Sequence, residues 1–119
     1  MIEDDLRTIL ADELDCPVYA RLVPPLVADC VTVQELGGAS TTNGIRRAYH
    51  RVSVMAVSED RTTALIRLRQ ARNALIVNIP AEVNGTYYYT AMALADGSLK
   101  TREGRRFIEY TDMEVVAGI

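Results

Sequence analysis

Residues 45–80 have the sequence IRRAYHRVSVMAVSEDRTTALIRLRQARNALIVNIP, which predicts one long strand followed directly by a long helix. Over 45–57, side chains alternate with the period of two that is typical of a strand, and both faces become at least half apolar towards its end. After Ser58, the predicted N-cap, Leu and Ala recur at helical spacing until Pro80 ends the pattern. This strand and helix form the centre of the predicted fold.

The N-terminal region adds a second helix and a further strand. Apolar residues over 2–14 recur at the spacing of an amphipathic helix. Pro17 ends this helix, because the residue before a proline disfavours the helical conformation. The acidic side chains of its first turn suit the positive end of the helix dipole, so they are either a solvated helix face or a docking surface. A short extended piece at 18–22 and a strand at about 30–36 follow.

The C-terminal region predicts two more strands. An Asn-Gly pair at 84–85 opens a strand over 86–95, an Asp-Gly pair at 96–97 predicts a tight hairpin turn, and a final strand covers 105–116. The strands cluster and do not alternate regularly with helices. We therefore predict a single α+β domain over residues 1–119, with an antiparallel or mixed sheet of four to five strands and two helices packed on one face.

A glycine-rich segment at 37–44 precedes the long strand. It contains no large apolar side chain, which predicts a mobile loop. A phosphate-binding loop is disfavoured, because the segment lacks the spacing and the Lys of that motif and leads into a strand where that motif leads into a helix. A hairpin loop is the preferred interpretation. The residues assigned to the mobile loop are Gly37, Gly38, Asn43 and Gly44.

The composition limits the chemistry that 119 residues of a single domain can perform. The single histidine, His50, excludes a two-His metal site, and any serine–histidine or cysteine–histidine catalysis would have to use it. Cys16 and Cys30 are too far apart for a zinc-binding pair, so they are predicted to be buried thiols in a reducing compartment or, as the alternative, a disulfide. We predict no catalytic residue, no metal site, no cofactor and no enzymatic activity.

Arginine accounts for twelve of the thirteen cations, and Lys100 is the other. Residues 1–15 carry six acids and one Arg, so the net charge of −3 divides into an acidic helix and a slightly basic remainder. Arg is favoured over Lys at protein interfaces, although a GC-rich genome would produce the same bias. The residues predicted to form an interface between subunits are Arg46, Arg47, Arg51, Tyr87, Tyr89, Arg105 and Arg106.

The second face of the predicted sheet is more apolar and richer in tyrosine than a face open to water. Two helices can cover only one face, and Tyr, Arg and apolar strands together are typical of assembly interfaces. Self-association is the favoured interpretation, with a second covering layer and simple exposure as the alternatives. A membrane is not an expected partner, because no apolar run is long enough to span one and the acidic N-terminus differs from a signal peptide.

The whole chain resembles the tail terminator (tail completion, minor capsid) proteins of long-tailed bacteriophages and prophages. The resemblance rests on an N-terminal helix ending in Pro-Val-Tyr, a glycine-rich loop, the segments RRAYHRVSV at 46–54 and SEDRTTA at 58–64, an Arg/Ala/Leu helix and a closing RRFIEY strand at 105–110. The match lies in the order of the elements and in the residue types within them.

This resemblance implies a ring, typically hexameric, that caps the head-proximal end of the tail tube, ends tube polymerisation and joins the tail to the head. The implied partners are further copies of the chain, the tail tube protein and the head connector protein, with genome DNA passing through the channel without sequence-specific binding. The predicted interface residues would then contact neighbouring subunits or the tube. The implied location is the virion, and the bacterial host cytoplasm during assembly. The alternatives are a head-closure or connector component and a nucleic-acid-binding α+β module.

Overall fold

A computed structural model describes residues 2–21, 29–40, 47–100 and 106–118, and these residues form two helices and six strands. In chain order the elements are α1 (Ile2–Glu13), β1 (Val18–Ala20), β2 (Cys30–Ser40), β3 (Arg47–Ser58), α2 (Arg61–Asn78), β4 (Ala81–Val83), β5 (Thr86–Lys100) and β6 (Phe107–Gly118).

The strands form one mixed sheet in the order β1-β2-β3-β6-β5-β4, which curls into a half-barrel. The pair β1 and β2 is parallel, and the other four neighbouring pairs are antiparallel. The predicted count of four to five strands is therefore wrong, although the fold remains α+β. The reason is local, since β1 and β4 have three residues each, too few to show an alternating pattern in sequence.

Two strands also extend further than the sequence predicts. Strand β2 continues past residue 36, because a register shift between Glu35 and Gly37 lets Gly37 and Gly38 pair with β3. Strand β5 runs through Asp96 and Gly97 to residue 100, so the predicted hairpin turn at 96–97 is wrong. Gly97 is required there for packing and not for a turn, because a Cβ at this position would collide with the ring of Tyr110 on β6.

Both helices pack on the same side of the sheet, which we call the helix face, and the opposite side is the far face. Alternate residues of β2, β3 and β6 meet the buried residues of α1 and α2 in one core cluster. The sequence-predicted apolar positions of α1 are confirmed as buried at Ile2, Leu6, Ile9 and Leu10. The strand residues of the core are Val18, Val31, Val33, Val52, Val54, Ala56, Tyr88, Met113, Val115 and Ala117.

Helix α2 begins two residues later than predicted. Its N-cap is Asp60, whose side chain accepts a hydrogen bond from the Thr62 backbone N–H, while Ser58 remains in β3. Hydrogen bonds to Asp60, first from the Thr63 hydroxyl and then from the backbone, hold the pKa of its carboxyl below its ordinary value. The predicted core stripe is confirmed at Ala64, Leu68, Ala71 and Leu75, whereas Leu65 and Ile76, which were expected to widen it, are exposed.

The two cysteines are free thiols in different surroundings. Cys30 is fully buried and Cys16 is half-buried. Burial raises the pKa of the Cys30 thiol, which lowers its fraction of reactive thiolate at neutral pH. We expect a water-soluble aromatic disulfide reagent to titrate one thiol quickly in the native protein and the second only after urea is added. Equally fast reaction of both thiols would contradict the packing described around β2.

Candidate assembly interface

An aromatic and arginine cluster lies at one end of the far face. The Tyr87 and Tyr89 rings meet edge to face, with centroids 4.7 Å apart and planes at 72°. The Arg47 guanidinium carbon lies 4.4 Å from the centroid of the Tyr89 ring, a cation–π contact. The Tyr89 ring lies near the position that a Cβ of Gly118 would occupy. The cluster therefore joins β3 to β5 across β6.

The backbone explains why Tyr89 reaches this position. A register shift between Tyr88 and Thr90 leaves Tyr89 as an extra residue, so Tyr88 points into the core while Tyr87 and Tyr89 gather on the far face. Tyr49 and Arg51 continue the same face of β3 beyond Arg47. We call Arg47, Tyr49, Arg51, Tyr87 and Tyr89 the Arg–Tyr surface.

The Arg–Tyr surface is accessible. Tyr87 is 45% exposed and Tyr49 is 36% exposed, and Arg51 is also exposed. A shallow cavity of about 320 Å³ beside Tyr49 and Arg51 is lined in addition by Leu36 and Glu114. Aromatic rings and guanidinium groups on a rigid sheet offer apolar area and directed charge together, which is the chemistry of binding hot spots.

The structure therefore brings together three of the seven residues predicted for the interface and places Arg51 beside them. Arg106 lies at the other end of β6 from Gly118, so it does not join this cluster. Its charge acts on Cys30 instead, where it opposes the effect of burial on the thiol pKa. The remaining predicted interface residues, Arg46 and Arg105, lie outside the described residues.

The structure contradicts the predicted mobile loop at two of its four residues. Gly37 and Gly38 lie in β2 and pair with Arg51 and His50, so assigning them to a loop is wrong. Gly38 approaches β3 so closely that a Cβ would lie 2.6 Å from the Tyr49 carbonyl oxygen. No side chain larger than the hydrogen of glycine fits here while the two strands stay paired. Asn43 and Gly44 lie outside the described residues.

The far face is closed in its middle and open at its sides. Cys30, Thr32, Ser53, Val57 and Val116 are all buried on it. Its exposed apolar residues are concentrated on β5, at Met92 and Leu99. Simple exposure of the whole second face, one of the alternatives to self-association, is therefore wrong for these residues. The accessible parts are the Arg–Tyr surface and the β5 side.

Two acidic side chains of α1 are buried, and their burial was not predicted from the sequence. Asp5 is buried, and its carboxylate accepts hydrogen bonds from the Tyr88 hydroxyl and, at 2.8 Å, from the Asn84 side-chain amide. Burial, and then Asp5, raise the pKa of Tyr88. Asp5 lies three residues after Ile2 and four before Ile9, so the apolar period of the helix already placed it on the buried side. The interpretation of these acids as a solvated face is wrong for Asp5.

Glu3 is the second buried acid of this helix. Its carboxylate accepts the Glu35 backbone N–H at 3.1 Å and lies 3.5 Å from the Arg21 Nε. Glu35 in turn pairs with His50 Nδ1 at 2.6 Å. The only histidine thus takes part in a hydrogen bond between the neighbouring strands β2 and β3.

A further polar network lies between α2 and the neighbouring strands β5 and β6. Glu109 is buried and accepts hydrogen bonds from Ser98 and, at 3.1 Å, from the Arg61 Nε, while Arg72 lies 3.5 Å from Asp96. A cavity of about 300 Å³ opens beside these residues. Their charges neutralise one another in pairs. Over the described ranges, no three His, Cys, Asp or Glu side chains group to hold a metal ion.

Comparison with known proteins identifies the fold. No protein-family model matches the sequence, and no curated protein matches it either. Among solved structures, a chain from the virion of a native gene transfer agent particle matches with a TM-score of 0.79, covering 99% of this chain and 95% of that one at 13% identity. A second solved chain matches with a TM-score of 0.65 and 12% identity, covering 99% and 91%. These similarities show a shared fold over the full length. Neither helix of the described chain is long and apolar enough to cross a membrane.

Proposed function

We propose that this chain is a structural subunit of a bacteriophage or prophage particle, and specifically a tail terminator. Its copies form a ring, hexameric in the family it resembles, that caps the head-proximal end of the tail tube, ends tube polymerisation and joins tail to head. The observation that carries the proposal is the match to a virion chain, which covers 99% of this chain and 95% of that one. The chain acts in the virion, after assembly in the bacterial cytoplasm.

The Arg–Tyr surface supports an assembly role. Arg47, Tyr87 and Tyr89 hold one another in place, so little side-chain entropy remains to be lost when a partner binds. Arg51 adds a positive charge that suits an acidic partner surface. In this proposal the surface contacts a neighbouring subunit or the tail tube protein, and DNA passes through the channel without sequence-specific contacts.

The proposal is tested by polymerising a tail tube protein in the presence of this chain. We expect electron microscopy to show tubes with this chain bound at one end only and no further growth from that end, because a terminator occupies the site that the next tube ring would use. Tubes of unchanged length with no bound chain would contradict the proposal. Binding to tail-less heads, with no effect on tubes, would favour a head-closure or connector role.

A nucleic-acid-binding module is the second candidate, because Arg47, Tyr49 and Arg51 lie on one strand face as stacking and phosphate-binding residues do. The net charge of −3 opposes this role. Fluorescence anisotropy with labelled single-stranded DNA distinguishes the nucleic-acid-binding role from the terminator role. Tight binding that weakens steeply with salt would favour the nucleic-acid role, and no binding at physiological salt is expected of the terminator.

A further inference from the structure

Both edges of the sheet have an open stretch. Strand β4 pairs with β5 only at Thr86–Tyr88, so within the described residues 90–100 have no neighbour on their outer side. On the other side, β1 pairs with β2 at Val31–Val33, and the Glu3 carboxylate accepts the Glu35 backbone N–H, which leaves 36–40 without an outer neighbour in the described chain. The unpaired backbone groups of such edges are templates for another strand.

These edges lack most of the features that prevent strands from pairing. Natural proteins protect open edges with proline, with outward charges or with bulges. Neither edge contains proline, and of the three charged residues Glu35, Asp96 and Lys100, Glu35 pairs with His50 while Asp96 is held by Thr111 and Arg72. Strand β2 has one bulge, near Leu36, and β5 has two, at Tyr89 and near Leu94, but 95–100 pair with β6 without a further shift.

Exposed apolar side chains lie along the same edges. Leu36 is 51% exposed on β2, and Met92 and Leu99 are 53% and 49% exposed on β5. An edge that is long, apolar and unprotected aggregates unless a specific partner covers it. The pattern therefore points to edges that are covered in the working state of the protein.

We propose that β5 of one copy pairs with β2 of the next copy, so that the sheets join head to tail. This inference rests on the proposed ring and names the contact that builds it. The strand directions fit, because the three antiparallel pairings between β2 and β5 make these two strands antiparallel to each other. In a ring whose copies keep one orientation, β5 therefore meets the next β2 in the antiparallel arrangement.

A second copy fits these edges better than a partner that binds one edge alone. The two open edges lie on opposite sides of the molecule, so a β5–β2 contact is heterologous and each copy still offers a free edge to the next. Such a contact ends only when a ring closes. Pairing of β5 with β5 would stop at a dimer and would leave both β2 edges open.

Cysteine cross-linking tests the pairing in the full-length protein. In a Cys16→Ser background that keeps the buried Cys30, Gly37→Cys on β2 is combined in turn with a cysteine on β5. Directly opposed residues of antiparallel strands share a face, with Cβ atoms about 4.5–5.5 Å apart, close enough for a disulfide after small shifts. Gly37 pairs with Arg51 on the far face, and a Cβ at this position would meet no atom within 4 Å. The far-face partners are Met92, Ala95 and Leu99, and the helix-face controls are Ala93 and Ser98.

We expect covalent multimers after mild oxidation for at least one far-face pair, with a yield several-fold above both helix-face controls. If native mass spectrometry shows a ring while no far-face pair exceeds the controls, the edge pairing is wrong and the proposed function stands. Cross-linking by a single β5 cysteine without Gly37→Cys would indicate β5–β5 pairing and would also overturn the inference. A strict monomer with no cross-linking, together with failed tube capping, would contradict the proposed function as well.

A charge at the edge gives an independent readout. Leu94→Lys places an ammonium group at the open edge of β5, where lysine is a natural block to pairing. We expect it to abolish the ring while the melting temperature stays within a few degrees. Asn73→Lys on the exposed side of α2 adds the same charge away from both edges and is expected to leave the ring intact. An unchanged ring in Leu94→Lys would contradict the pairing.

Discussion

The Tyr88→Ala variant is expected to lose about 3–5 kcal/mol of unfolding free energy, the range found for removing a large aromatic side chain from a core. Tyr88 is 1% exposed, and among the described residues it is the largest fully buried side chain. Its loss also leaves the buried Asp5 carboxylate without the hydroxyl donor. Since small domains have only about 5–15 kcal/mol of stability in total, this variant should be close to unfolding. Urea denaturation at fixed protein concentration measures the loss.

Two companion variants separate the causes. Tyr88→Phe removes only the hydroxyl and is expected to cost about 1–3 kcal/mol, because it leaves Asp5 buried with Asn84 as a remaining donor. Tyr87→Ala, at the neighbouring exposed ring, is expected to cost about 1 kcal/mol or less. If Tyr88→Ala and Tyr87→Ala lower the unfolding free energy equally, the placement of Tyr88 in the core and of Tyr87 at the surface is wrong.

The central strand and both helices could be predicted from the sequence because their patterns are long. Twelve residues of β3 and eighteen of α2 give several periods each, so the period identifies the element. The ends of strands could not be predicted in the same way. Gly37 and the Asp-Gly pair at 96–97 are turn signals in isolation, but here pairing with β3 and packing against Tyr110 override the local preference.

The candidate interface could be predicted only in part. Arg47, Tyr87 and Tyr89 were identified by residue type, yet their meeting depends on a bulge at Tyr89 that an alternating pattern does not reveal. Buried acids were missed for a different reason. Asp5 lies at the helical period of Ile2 and Ile9, so its position was visible, but a carboxylate is buried only when donors such as Tyr88 come from distant strands.

Charge reversal at the Arg–Tyr surface should weaken assembly strongly. Arg47→Glu replaces the cation over the Tyr89 ring with a carboxylate, which loses the cation–π contact and repels an acidic partner surface. We expect the dissociation constant of the ring, or of its complex with the tail tube protein, to rise about thirty-fold or more, the effect of removing a binding hot spot of about 2 kcal/mol. Light scattering across a dilution series measures both equilibria.

The matched control is Arg69→Glu on the exposed side of α2, which changes the net charge by the same amount at a distance from the surface. Assembly should be unaffected in this control. Far-ultraviolet circular dichroism should be the same for both variants, because neither side chain belongs to the core. If Arg47→Glu assembles as the unmodified chain does, with and without the tube protein, the assignment of the interface to this surface is wrong.

The most direct test of the account is the native mass spectrum of the unmodified protein over a wide range of concentrations. A closed ring predicts one dominant species at six times the subunit mass of 13.2 kDa, with no ladder of larger assemblies, since closure leaves no free edge. A monomer at 13.2 kDa at every concentration, both alone and with tail tube protein, would contradict the proposed role in particle assembly.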